Sequence, residues 1–239
     1  FLDLFVDSTG EMLYFLAVLA ISQAALLMAL GQRLRGRTEV AAGRFVVLLA
    51  GTVLAWIALM GGALYTLAAD TSADAILPPL ERAVNALVIV FSGAALLAAD
   101  SPRPERGMWR LTGVLAVAIA VGYAVTAAAW SPLAATEEFN AHTAGLIWPL
   151  VPIALLVGAI GLLLTRYRQT ADIPLKLIYF LVLLVAYGYT AAVIAAGELE
   201  GHVSGALRLG FLVAVPMVAA VVYRIVIDPV DPAIGAVSQ

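Results

Sequence analysis

Glu81, Asn85, Val88 and Ser92 recur at steps of four, three and four residues, which lines them up on one face of a helix. A face that carries a carboxylate and an amide is badly suited to hydrocarbon, so it is expected to look into protein. Arg208 poses the same problem more sharply, because it lies about one turn inside a long apolar block near the C-terminus. Its expected counter-charge is Glu81. With Arg82, Tyr65, Tyr123, Tyr187 and Trp148, which fall in the same half of their own apolar blocks, these residues make a candidate ligand-binding set: Glu81, Arg82, Asn85, Tyr65, Tyr123, Tyr187, Trp148 and Arg208. The chemistry they offer is recognition of a polar or charged group. A plainer reading stands beside it: Glu81 follows Pro78-Pro79 in the first turn of a helix and complements its dipole, while Arg208 reaches up to the membrane surface.

Reaction chemistry is harder to find. There is no cysteine, which removes thiolate metal sites and thiol nucleophiles together. His142 and His202 fall in loops as solvated side chains, with no His-x-x-x-His pair to hold a metal. No Gly-x-Ser-x-Gly elbow, Walker pattern or dinucleotide glycine pattern is present. The sequence therefore predicts no catalytic group, no metal and no cofactor in this chain. Its single lysine, Lys176, sits at the start of a span rather than in the middle of the last one, which leaves retinal without a Schiff-base attachment point.

The elements that must position these residues are membrane helices. Of the 239 residues, 63% are hydrophobic and 12% charged, outside the range of soluble domains. The apolar residues form seven blocks, each long enough to cross about 30 Å of hydrocarbon as a helix. They run Met12 to Leu30, Ala42 to Ala69, Ala83 to Ala99, Leu111 to Trp130, Ala144 to Thr165, Leu175 to Ala196 and Gly205 to Tyr223. The fold class expected is an all-α membrane protein, a seven-helix bundle over residues 1–227. Residues 228–239, opened by Asp228-Pro229-Val230-Asp231-Pro232, read as a linker or tail leading toward something cytoplasmic.

Charge fixes the expected sidedness. Arg33, Arg35, Arg37 and Arg44 follow the first block, Arg103, Arg106 and Arg110 the third, Arg166, Arg168 and Lys176 the fifth, and Arg224 the seventh. Only Arg82 and Arg208 lie toward the other side, together with most of the acids, among them Asp70, Asp74, Glu137, Glu138, Glu198 and Glu200. The positive-inside rule then puts the N-terminus outside and the C-terminus in the cytoplasm. Trp130 and Trp148 flank an outer loop and Trp109 an inner entry, the positions of interfacial anchors. Trp148-Pro149, Pro152, Pro216 and Gly61-Gly62 are expected to make their helices irregular. Polar residues thin out toward the cytoplasmic half, where Ser22, Gln23 and Thr165 are the main ones. A net charge of −3 gives no support for a nucleic-acid partner.

An Arg-rich first inner loop leading to Arg44-Phe45, then Trp56 in the second span, and Leu77-Pro78-Pro79-Leu80-Glu81-Arg82 entering the third, in a frame of seven short-looped helices, resemble the N-terminal seven-helix sensor regions of bacterial histidine kinases and related signalling proteins. The resemblance implies a multi-pass protein of the bacterial inner membrane. It further implies detection of an external or lipid-soluble ligand in the outer half and passage of a shift to a cytoplasmic effector; a homo-oligomer is expected besides. Neither histidine is placed to accept a phosphate, and the double proline after the last helix departs from a signalling helix that runs straight through. Two other classes fit the same composition: a non-catalytic subunit packed among partner membrane subunits, and a small transporter, which would need a polar path through both halves.

Because the chain has no cysteine, introduced ones are unique reporters of sidedness. Glu138→Cys should be labelled by a membrane-impermeant maleimide in intact cells, and Arg35→Cys only after lysis; the reverse pattern would invert the predicted orientation.

Overall fold

In lipid, a chain has no water to satisfy its amides, so it closes its backbone hydrogen bonds within each segment. The computed structural model describes residues 8–35, 40–69, 72–98, 106–167, 170, 172–199 and 203–227, and every regular element among them is helical. The helices are α1 (Ser8–Leu34), α2 (Val40–Ala68), α3 (Ala73–Ala98), α4 (Arg106–Trp130), the single turn α5 (Thr143–Ile147), α6 (Leu150–Thr165), α7 (Ile173–Ala196) and α8 (Gly205–Val222). A π-helical turn, Tyr223–Ile227, continues α8. Seven segments are long and apolar enough to cross a membrane, α5 and α6 together forming the fifth. The protein is a seven-span helical membrane bundle. The expected linker at 228–239 lies outside the described residues, as do His202, Asp70, Glu200, Arg37, Arg103 and Arg168.

The third span starts at Ala73, well before the expected Ala83, and takes Pro78 and Pro79 into the helix. Proline at position 78 cannot donate to the carbonyl four residues back, which is that of Asp74. The indole N–H of Trp130 takes that acceptor instead, at 2.7 Å. One tertiary bond thus repairs the ladder and explains a second difference. Trp130 and Trp148, expected at headgroup level, are both buried in protein. Trp130 stacks edge-on against Phe139, and its indole and the Trp148 indole both donate inside the fold. Trp109 remains partly exposed at the other end.

The break expected at Trp148-Pro149 is present as the boundary between α5 and α6. His142 starts α5, its Nδ1 accepting from the Ala144 N–H at 3.2 Å, so it is a cap rather than a solvated loop residue. Gly197, at φ +70°, ends α7 with its N–H on the Ile194 carbonyl, a left-handed cap that suits glycine.

Helix α3 is the axis. It packs against α2, α4 and α6 and touches α8, and 83% of its apolar window is buried; in α4 the figure is 11%. α1 closes the bundle between α2 and α8, and α7 lies between α6 and α8. Two clusters fill the interior. The larger runs through α1, α2, α3, α6, α7 and α8, and the smaller joins α3 and α4 to the loop before α5 through Ala86, Ile119, Trp130, Phe139 and Trp148.

The fold of that loop depends on Gly145, where a Cβ would stand 2.0 Å from the Phe139 carbonyl oxygen. Gly158, on α6, has open space. Gly145→Ala should lower Tm in detergent, with a cost of about 1–3 kcal/mol for overpacking, while Gly158→Ala leaves it unchanged or higher.

Candidate functional site

A charged side chain within a membrane span must find a partner or water. Arg208 finds Glu81. On α8 and α3 respectively, they bring Nη2 within 3.4 Å of Oε2 and 3.5 Å of Oε1, with side chains 3% and 1% exposed. The Arg208 guanidinium also lies 5.8 Å from the Tyr14 ring centre and 5.7 Å from that of Phe15, within cation–π reach. Tyr14, Trp56, Phe211 and Tyr187 form a chain of edge-to-face contacts beneath it, at centroid distances of 6.1, 5.7 and 6.3 Å. Four helices, α1, α2, α7 and α8, therefore meet around one ion pair held by α3.

Glu81 is not in a first turn, since α3 begins two turns earlier; its charge is held by packing and Arg208 rather than by a helix dipole. Arg208 is buried rather than raised to the surface. Arg82, adjacent on α3, is equally buried and donates from Nη2 to the Asn140 side-chain oxygen at 3.1 Å. Asn85 lies one turn along α3. Its side-chain oxygen, the Tyr14 hydroxyl and the Trp56 indole N–H are all buried with no hydrogen-bond partner among the described residues. The ion-pair contacts exceed the about 2.7–2.9 Å of an optimised charge-assisted bond. The cluster holds its charges, but with spare hydrogen-bonding capacity beside them.

The remaining expected residues go elsewhere. Tyr65 is 58% exposed on the outside of α2 and belongs to no site. Tyr123 is half-buried and packs with Trp148 in the smaller cluster. There the Trp148 indole donates to the Thr126 hydroxyl at 3.0 Å. Beside this bond a cavity of about 480 Å³ opens between α4 and α6, lined by Leu115, Ile119, Gly122, Thr126, Trp148 and Leu155 among others. A smaller one of about 160 Å³ shares Leu115 and Leu155 and extends the seam toward Met108. The larger has the volume of a small-molecule site and an almost wholly apolar wall.

Helix α3 lies between the two. Ala83, Ala86 and Val90 pack toward the Trp130 and Trp148 cluster, while Glu81, Asn85, Val88 and Ser92 face the larger core. At 100° per residue these sets are on opposite faces. Sequence periodicity identified the polar face. Tyr14, Trp56 and Asn140 carried no such signal, being a lone aromatic, a mid-span indole and a loop amide.

The other end of the bundle is more polar than expected. Lys176 is fully buried, Arg44 and Gln32 are nearly so, and Ser22, Thr52, Ser92 and Tyr179 lie inside toward the middle; Gln23 faces outward. Arg224, on the π-helical turn, bonds Asp172 at the start of α7 at 2.6 Å.

No family model, curated protein or solved structure matches the chain. The likeness to kinase sensor regions rests on the residues quoted above.

Removing one member of a buried ion pair strands the other. Glu81→Leu leaves two buried guanidinium groups and should cost about 3–5 kcal/mol in unfolding from micelles. The double variant Glu81→Leu/Arg208→Met should cost less than Glu81→Leu alone. Additive losses would mean that the pair is not coupled.

Proposed function

We propose that the chain is a sensory input module of the bacterial inner membrane, in which a lipid-soluble ligand enters the cavity between α4 and α6 and α3 carries the change to α8. The observation that supports this reading most is that α3 has a ligand-sized cavity against one face and the Glu81–Arg208 pair on the opposite face. A molecule that wedges α4 from α6 presses on Trp148 and, through the smaller cluster, on Ala83, Ala86 and Val90. Any rotation of α3 then moves Glu81 against Arg208. A cluster with unfilled hydrogen bonds beside its ion pair has alternative pairings to take up: the Tyr14 hydroxyl, the Trp56 N–H and the Asn85 oxygen offer them. The ligand need only bind two such arrangements with affinities a few kcal/mol apart to shift the population.

The output end is the arginine-rich one. α8 runs there from Arg208 to the π-helical turn, which is held to α7 by Arg224 and Asp172. With the N-terminus outside, as the loop charges imply, this end faces the cytoplasm, where an effector domain or a second copy of the chain would read its position.

One observation favours the second reading, an accessory subunit. Val114, Val117, Val121 and Val125 make a stripe along α4, each more than half exposed, which would suit a neighbouring membrane helix as well as lipid. Intact mass of the native complex separates the two: stoichiometric foreign subunits seated on α4 favour the accessory role.

The sensor reading is tested by a thermal-shift screen of lipophilic small molecules on the chain in proteoliposomes. Compounds that raise Tm should lose the effect in Gly122→Leu, which fills the cavity beside Trp148. They should also change the distance between spin labels at Thr165→Cys and Tyr223→Cys, and Arg208→Lys should abolish that change while binding persists. Stabilisation indifferent to Gly122→Leu would sink the cavity, and a distance change indifferent to Arg208→Lys would sink the relay.

A further inference from the structure

Ser22 on α1, Thr52 on α2, Ser92 on α3 and Tyr179 on α7 surround a small void of about 10 Å³ in the middle of the bundle. None of the four is more than 3% exposed. Hydrogen accounting decides what the void can hold. Ser22 donates its hydroxyl proton to the Val18 carbonyl at 2.7 Å, Thr52 donates to Leu48 at 3.4 Å, and Ser92 donates to Val88. With the Ser92 proton committed, its contact with the Tyr179 hydroxyl has tyrosine as donor. All four protons are spent, and what remains on the four oxygens is acceptor capacity alone.

We infer that this void is a water site, holding one molecule that donates its two protons to hydroxyl oxygens from different helices. Its size is at the about 10–15 Å³ that a single water requires, and the site offers the two to four polar partners that distinguish wet cavities from dry ones. A ligand that needs to be given a hydrogen bond finds no donor here. The rest of the wall is apolar, with Val215 and Val218 supplied by α8, and carries no carboxylate to neutralise a cation. The water lies on the same α3 face as Glu81 and Asn85, so it bridges two of the helices that supply these hydroxyls at the level where the ion pair no longer reaches. The site stands independently of the sensory reading.

The test uses the whole chain in lipid nanodiscs. A map that resolves ordered solvent should show one density within hydrogen-bond distance of at least two of the four oxygens. Infrared difference spectra should show an O–H stretch that shifts in heavy-oxygen water and is lost in Ser92→Ala. Ala25→Val, which fills the void from its apolar side without touching a hydroxyl, should remove the same band, so a folding defect in the serine variant does not decide the matter. An empty void with no such band overturns the inference, and so does a Tm that depends on sodium or potassium and loses that dependence in Ser92→Ala, which would make the occupant a cation.

Discussion

The cost of holding charge where water is scarce governs this bundle. Arg208 and Glu81 each carry a penalty that the other helps to offset, so α8 and α3 have to meet at one level and in one rotation. Once that register is set, the aromatic ladder of Tyr14, Trp56, Phe211 and Tyr187 has a fixed geometry, and α1 and α2 close around it. Apolar packing between lipid-soluble helices is permissive about rotation. An ion pair is not.

The spans were legible in the sequence because twenty apolar residues in a row have few other uses. The inward face of α3 was legible too, since Glu81, Asn85 and Ser92 sit at helical steps. Other features depended on contacts that no local pattern encodes. The two prolines read as a helix entry, and inside α3 the carbonyl that Pro78 cannot serve is taken by the Trp130 indole, far along the chain. The same contact turned Trp130 into the protein, where its position in the sequence suggested an exposed anchor. Lys176 and Arg44 read as interfacial charges, because nothing in a one-dimensional pattern tells a residue at a helix end that its neighbours will enclose it. Of the eight candidate site residues, five gather at the ion-pair cluster. Tyr123 and Trp148 belong to the smaller cluster, where Trp148 alone of the two lines the cavity, and Tyr65 points away, because shared depth in the membrane does not specify shared azimuth.

The two seams of α3 are built differently. Toward α4 it meets small and apolar residues, with open volume left between α4 and α6. Toward α1, α2 and α8 it meets charges, rings and hydroxyls whose partners are discrete. The two faces of α3 thus differ in how many discrete partners fix them.

The π-helical turn at Tyr223–Ile227 has a geometric corollary. Such a turn spends one residue more than an α-helical one, so by Ile227 the chain is about 100° out of phase with the straight continuation of α8. If the turn relaxed to α-helix, its end at Ile227 would advance by one residue's rotation, with a rise of about 1.5 Å. The Arg224–Asp172 bond ties this turn to the start of α7.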